Sequence, residues 1–225
     1  MEHFDMELGE LKQKLLTMAS HAETAVNEAL RALIERDYDL ALRVKEDDNL
    51  IDQLEVEIDD MAIHLLAKAP LASDLRLVTV AMKISQNLER VGDEASKIAK
   101  RARDLSQEPP VKVVVDLPTM AKLALDMLKA ALDSFVNRDP ATARALIPRD
   151  KEVDALNKQI TNHLAQYMME NPDTIKRCLS LITCSRSLER IADHATNVAE
   201  EVVYLYEAQD IRHTGGKSGL ARASA

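Results

Sequence analysis

Tryptophan is absent from the 225 residues, and only two Phe and four Tyr supply aromatic bulk. Glycine is nearly as scarce, with five in all, three of them in the last eleven residues. A β-rich fold needs more turn formers and more β-branched and aromatic residues than this. The two cysteines, Cys178 and Cys184, lie six apart, about 240° around a helix, so they cannot readily pair. Unpaired thiols fit a reducing cytoplasm, and buried apolar filling is their expected role. No uncharged apolar run approaches the ~18 residues of a membrane span. The first residues lack the basic-then-apolar order of a signal peptide. Positive charge is in deficit too: the formal net charge is −9. That balance argues against nucleic acid as a partner, because phosphate binding wants a basic face.

What remains is 46% hydrophobic and 30% charged. Ala, Leu, Met, Glu, Lys and Arg dominate, and all are good helix formers. The composition reads all-α.

The chain also repeats itself. At one constant offset, Arg36-Asp37 falls on Arg138-Asp139, Asp48 on Asp150, Asp52 on Asp154, Ile58 on Ile160 and Pro70 on Pro172. Beyond that turn the offset shortens by two. Ser85 then falls on Ser185, Leu88-Glu89-Arg90 on Leu188-Glu189-Arg190, and Asp93 on Asp193. One gap, placed in an expected loop, preserves the whole register, which means duplication of a complete folding unit.

Each unit reads as three helices. In the first unit they run from about Asp5 to Glu35, from a cap at Asp37 to about Lys68, and from a cap at Ser73 to about Leu105. In the second they cover about 117–137, 139–170 and 172–209, with Asp139-Pro140 and Asn171-Pro172 as start signals. The expected organisation is a first three-helix bundle over 1–106, a linker over 107–116, a second bundle over 117–210 and a flexible tail over 211–225. The valine run from Val111 to Val115 reads as an extended connector. Leu75, Val78, Met82, Ser85, Leu88, Val91, Ala95, Ile98, Ala102 and Leu105 form the apolar stripe of the third helix. Helices with such stripes and short loops make two tandem antiparallel bundles.

Four acidic pairs stand out: Asp48/Asp52, Glu89/Asp93, Asp150/Asp154 and Glu189/Asp193, each four apart on one helix face. Like charges at this spacing cost a helix ~0.2–0.5 kcal/mol per pair. Their retention through a duplication implies something that compensates them. Counting equal rise away from each turn sets Asp48 level with about residue 92 and Asp150 level with about residue 194. Each unit therefore brings two carboxylate pairs to one height on adjacent helices. Four oxygen ligands without basic partners suit a hard cation: iron, manganese, magnesium or calcium. Zinc usually takes some His or Cys, although carboxylates can hold it. The competing reading is an ordinary acidic surface neutralised by Arg90 and Arg190. His194 is a possible added ligand, while Ser85 and Ser185 lack a neighbouring base and read as packing residues.

Taken together, Asp48-x-x-x-Asp52, Asp74-Leu75-Arg76, Glu89-Arg90-Val91-Gly92-Asp93, Glu189-Arg190-Ile191-Ala192-Asp193 and Asp210-Ile211-Arg212-His213 resemble the PhoU family over nearly the whole chain. The resemblance implies two three-helix bundles related by pseudo-twofold symmetry. It implies iron or zinc sites at Glu89 and Asp93 and at Glu189 and Asp193, with the Asp pairs Asp48/Asp52 and Asp150/Asp154 as neighbours in the same sites. It also implies a cytoplasmic, often dimeric, non-enzymatic regulator. Such a protein links the ATPase of a phosphate ABC transporter to a membrane histidine kinase and represses phosphate-starvation genes when phosphate is plentiful. Lys97 departs from the second unit's Asn197, and a cation there weakens the first site. From the residues alone, a carboxylate-bridged metalloenzyme and a metal-free helical adaptor remain the alternatives.

Overall fold

A computed structural model describes residues 2–68, 71–113 and 115–212. Among them are seven α-helices and no strand: α1 (Glu2–Glu35), α2 (Tyr38–Leu66), α3 (Ala72–Ser106), α4 (Leu117–Asn137), α5 (Pro140–Leu146), α6 (Asp150–Glu170) and α7 (Ile175–Glu207). The fold is all-α, built as two antiparallel three-helix units in tandem. α1, α2 and α3 pack on one another, as do α4, α5–α6 and α7. The long helices α3 and α7 then lie side by side, so one continuous core runs through both units.

The expected starts and stops are met unevenly. Asp37 caps α2 by accepting from the Leu40 amide at 2.9 Å. Asp139 accepts from the amides of Ala141 and Thr142, with Pro140 as the first helical residue. Ser73, by contrast, is no cap. Extended Leu71 precedes the helix and Ser73 already lies in its first turn. Nor is the fifth expected helix continuous. Pro148 lacks the amide hydrogen that an α-helix needs, and Ile147–Arg149 forms a 3-10 turn that separates α5 from α6. Asn171 both ends α6 and, with Pro172 as first residue, starts a 3-10 turn at Pro172–Thr174 that leads into α7, without a capping bond from its side chain. Val111 and Val113 are in no strand and pack partly buried against the core with Val115. Pro70 and the glycine-rich stretch from His213 onward lie outside the described residues. Ile211 packs on the core and Arg212 bonds to Asp210 and Glu201, so the folded body extends two residues into the expected tail.

Equivalent turns recur in both units. Arg36 and Arg138 both adopt left-handed backbone, with φ of 59° and 55°. Glycine suits this conformation better than any other residue. Arg36 is retained for another reason: its guanidinium donates to the carbonyls of Leu105, Ser106 and Glu108, gripping the end of α3. Arg138 has no such set of hydrogen bonds. Urea unfolding should therefore separate the two. Arg138→Gly is expected to be neutral or to stabilise by up to about 1 kcal/mol. Arg36→Gly is expected to destabilise by roughly 1–3 kcal/mol, since charge-assisted bonds to three carbonyls are lost.

Both free cysteines are buried, as expected of fillers, and burial pushes the Cys184 thiol up to about 12. The two serines are packing residues with matching contacts. Ser85 Oγ lies 3.4 Å from Met18 Sδ, and Ser185 Oγ lies 3.4 Å from Met120 Sδ.

The seam between α3 and α7 is polar at its centre and obeys the repeat. Glu94 on α3 and His194 on α7 occupy equivalent positions, and each points at the other helix. His194 Nδ1 donates to Asn87 Oδ1 at 3.0 Å, while Glu94 Oε1 accepts from Arg190 at 3.3 Å and from Lys97 at 2.9 Å. Burial pushes the Glu94 carboxyl up, but Ser187, Lys97 and Arg190 outweigh it and hold the group below its usual range. Farther along, Lys83 bonds to buried Glu201 at 3.0 Å, and Arg76 and Lys83 both lie over the Tyr204 ring. Arg76 is thus an interhelix residue. The equivalent placement of Glu94 and His194 is what a pseudo-twofold axis produces, although the contacts the two residues make differ.

Candidate metal centres

In the first unit α2 carries Asp48 and Asp52, and α3 carries Glu89 and Asp93. The level count is met: a Cβ placed on Gly92 would sit 3.0 Å from Asp48 Oδ1. Absence of a side chain at Gly92 lets α2 approach α3 here. Burial raises the Asp48 carboxyl, a hydrogen bond from Ser96 opposes this, and Asp52 and Asp93 raise it again. Burial also raises Glu89, followed by repulsion from Asp93, Glu55 and Asp52. Glu55, itself raised by burial, Asp59 and Asp52, is thus a fifth acid in this group, one that a search for duplicated acids passes over. Its equivalent, Asn157, instead accepts from Ser185 at 2.7 Å.

The first group carries its own counter-charges. Arg90 Nε lies 3.4 Å from Glu89, and Lys97 Nζ lies 3.7 Å from Asp93. Ser96 Oγ donates to Asp48 Oδ2 at 2.8 Å.

In the second unit α6 carries Asp150 and Asp154, and α7 carries Glu189 and Asp193. Burial and three carboxylates, Asp150, Glu189 and Asp154, push Asp193 up to about 6. Asp193 is exposed along one side, so water screens part of that repulsion. Burial, then Asp154 and Glu189, also raises Asp150, whose Oδ1 is buried with no hydrogen-bond partner. All eight expected residues therefore fall into two groups of four, one per unit. His194 joins neither, because its ring is turned into the seam towards Asn87.

Both groups have the donor chemistry of a hard-cation site, namely mutually repelling carboxylates on neighbouring helices. The orphaned Asp150 oxygen fits a cation in the second group. Neither is a preformed cage. Among the described residues, no three His, Cys, Asp or Glu side chains already converge as a ligand set. A cation would have to draw the carboxylates inward by side-chain rotation.

A duplicated all-helical scaffold, with an acidic quartet on each half, defines a class of protein rather than an activity. A family model described as the PhoU domain matches residues 15–102 and again 117–202. The phosphate-specific transport system accessory protein PhoU homolog of Pseudomonas putida is 42% identical over 96% of this chain and 85% of its own. The corresponding Escherichia coli protein is 37% identical over 95% of this chain and 89% of its own. The crystal structure of PhoU from Pseudomonas aeruginosa superposes with a TM-score of 0.88 at 41% identity, covering 92% of this chain and 100% of that one. The PhoU regulatory protein of the phosphate transport system from Streptococcus pneumoniae gives 0.86 at 29% identity, over 92% and 99%. The chain belongs to the PhoU family, whose members are accessory proteins of transport and not enzymes. No described helix is long and apolar enough to cross a membrane.

Proposed function

We propose that this chain is a cytoplasmic, non-enzymatic regulator of phosphate uptake. It acts as a metal-binding helical scaffold, working as a homodimer, that couples the ATPase of a phosphate ABC transporter to a membrane sensor histidine kinase. When phosphate is plentiful the coupling represses the phosphate-starvation genes. Support comes from relatives named as accessory proteins of phosphate-specific transport, matched over nearly their full length. The observation that carries the scaffold reading is the pair of carboxylate quartets, held by neighbouring helices of one rigid core.

Asp48, Asp52, Glu89 and Asp93 would hold a cation in the first unit; Asp150, Asp154, Glu189 and Asp193 would do so in the second. Iron or zinc is the proposed occupant, and the all-carboxylate donor set also suits manganese, magnesium and calcium. A bound ion would cancel the carboxylate repulsion and supply positive charge for an oxygen ligand on a partner. The chain's own part is to hold the quartets on stiff helices at a fixed separation.

Deletion of the gene, followed by an alkaline phosphatase assay in high phosphate, tests the regulatory role. The expected result is loss of repression, restored by the intact gene. Repression that persists without the gene rejects the role.

A further inference from the structure

The two quartets are equivalent in sequence register but not in what surrounds them. In the first unit three of the four quartet carboxylates have an internal partner. Lys97 Nζ lies 3.7 Å from Asp93, Arg90 Nε lies 3.4 Å from Glu89, and Ser96 Oγ donates to Asp48 at 2.8 Å. Each of these partners has a counterpart in the second unit, and each counterpart is replaced or makes its nearest contact elsewhere, although the Arg190 charge still acts on Asp193.

Asn197 replaces Lys97, and its amide donates across the seam to Asn87 Oδ1 at 3.3 Å. Arg190 replaces Arg90, but buried Glu94 draws its guanidinium across the seam, 3.3 Å from Oε1. Arg90 is not drawn across in the same way, because position 194 holds a histidine in place of a carboxylate, and its ring is turned to Asn87 Oδ1 at 3.0 Å. Thr196 replaces Ser96, and its Oγ1 is buried without a partner. So is Oδ1 of Asp150, the equivalent of Asp48. A hydrogen bond in the first unit thus corresponds to two orphaned polar atoms in the second. Orphans of this kind are costly, and an ion with its bound water is one way to satisfy both a carboxylate and a hydroxyl.

We propose that the second unit's quartet, Asp150, Asp154, Glu189 and Asp193, is the tight divalent-cation site, and that Lys97 and Arg90 hold the first quartet in a self-neutralised, weakly binding state. The extra acid Glu55 in the first unit works against this ordering, but both cations lie closer to the ligand carboxylates than any counter-charge in the second. The seam residues Glu94 and His194 set the difference, because they decide which arginine leaves its quartet. This inference rests on the metal-binding reading above and sharpens it to one site.

Titration of the full, chelator-stripped chain with Mn²⁺ alone, followed by calorimetry and by the electron-spin signal of free ion, tests the proposal. The wild-type chain should fill one tight phase before a second, weaker one. Asp193→Asn should abolish the tight phase and Asp93→Asn should leave it. Lys97→Asn, which copies the second unit, should tighten the weak phase by about tenfold or more, the scale on which one nearby charge acts at a partly exposed site. Circular dichroism melting should show all three variants folded. Two equal phases in the wild type, unmoved by Lys97→Asn, would overturn the ordering while keeping the metal reading. Loss of the tight phase in Asp93→Asn instead of Asp193→Asn would reverse the assignment. No Mn²⁺ bound by any variant would overturn both.

Discussion

Leu88→Ala is expected to destabilise the whole chain by about 2–5 kcal/mol, in a single unfolding transition. Leu88 has no exposed surface and sits midway along α3, the helix that touches α1, α2 and α7. Truncation removes apolar area from the core and leaves a cavity that three surrounding helices cannot easily collapse into. The lesion lies in the first unit, yet both units share one buried cluster. Heat should therefore melt both units together, with Tm lowered by roughly 5–15 °C for a chain of this size. Calorimetry reads this directly. Two resolved transitions, with only one displaced, would mean that the α3–α7 seam does not couple the units.

Gly92 gives the second large effect. A Cβ there would meet Ile51 Cδ1 at 2.8 Å and Asp48 Oδ1 at 3.0 Å. Alanine is expected to be nearly neutral. Its gain in helix propensity of about 1 kcal/mol offsets a small shift of two side-chain ends. The second unit already carries buried Ala192 at the equivalent position. Leucine cannot be accommodated so easily and should destabilise by roughly 1–3 kcal/mol as it wedges α2 away from α3. Asp48 would move with α2, so the first quartet would open. Denaturant unfolding of the two variants, side by side, measures the difference. A Gly92→Leu protein as stable as the wild type would show that the helices are not in close contact at this point.

Much of this was legible in the sequence because duplication exposes what each residue type is for. Equal counting from the turns placed Asp48 at residue 92, where the structure has it. The repeat also tied Arg36 to Arg138, and both proved to be left-handed turns. The seam was harder to read. A stripe drawn for one buried face explains Val78, Leu88 and Ala95, but α3 buries two faces. Val80 and Ile84 are fully buried off that stripe and Glu94 bonds across to Arg190 on α7, while Leu75 at the start of the stripe is 42% exposed. Small and polar residues line that second face, so its hydrophobic signal is weak. Glu55 escaped for a related reason: its equivalent is Asn157, and a search for duplicated acids passes over it. The break at Pro148 was visible as a proline, but not that a full 3-10 turn would replace the helix there.

The polar character of the seam has a consequence for how the chain is made. Synthesis proceeds from the N-terminus, so α1, α2 and α3 leave the ribosome before α7 exists. During that interval the face of α3 that will meet α7 is open to water and to other half-made chains. Lys83, Asn87, Arg90, Glu94 and Lys97 interrupt that face with charge and amide groups. A nascent first half therefore presents a hydrated strip instead of a sticky one. Three of them, Lys83, Asn87 and Glu94, later find Glu201, His194 and Arg190 on α7. The groups that secure the finished joint are the ones that protect it while it is incomplete.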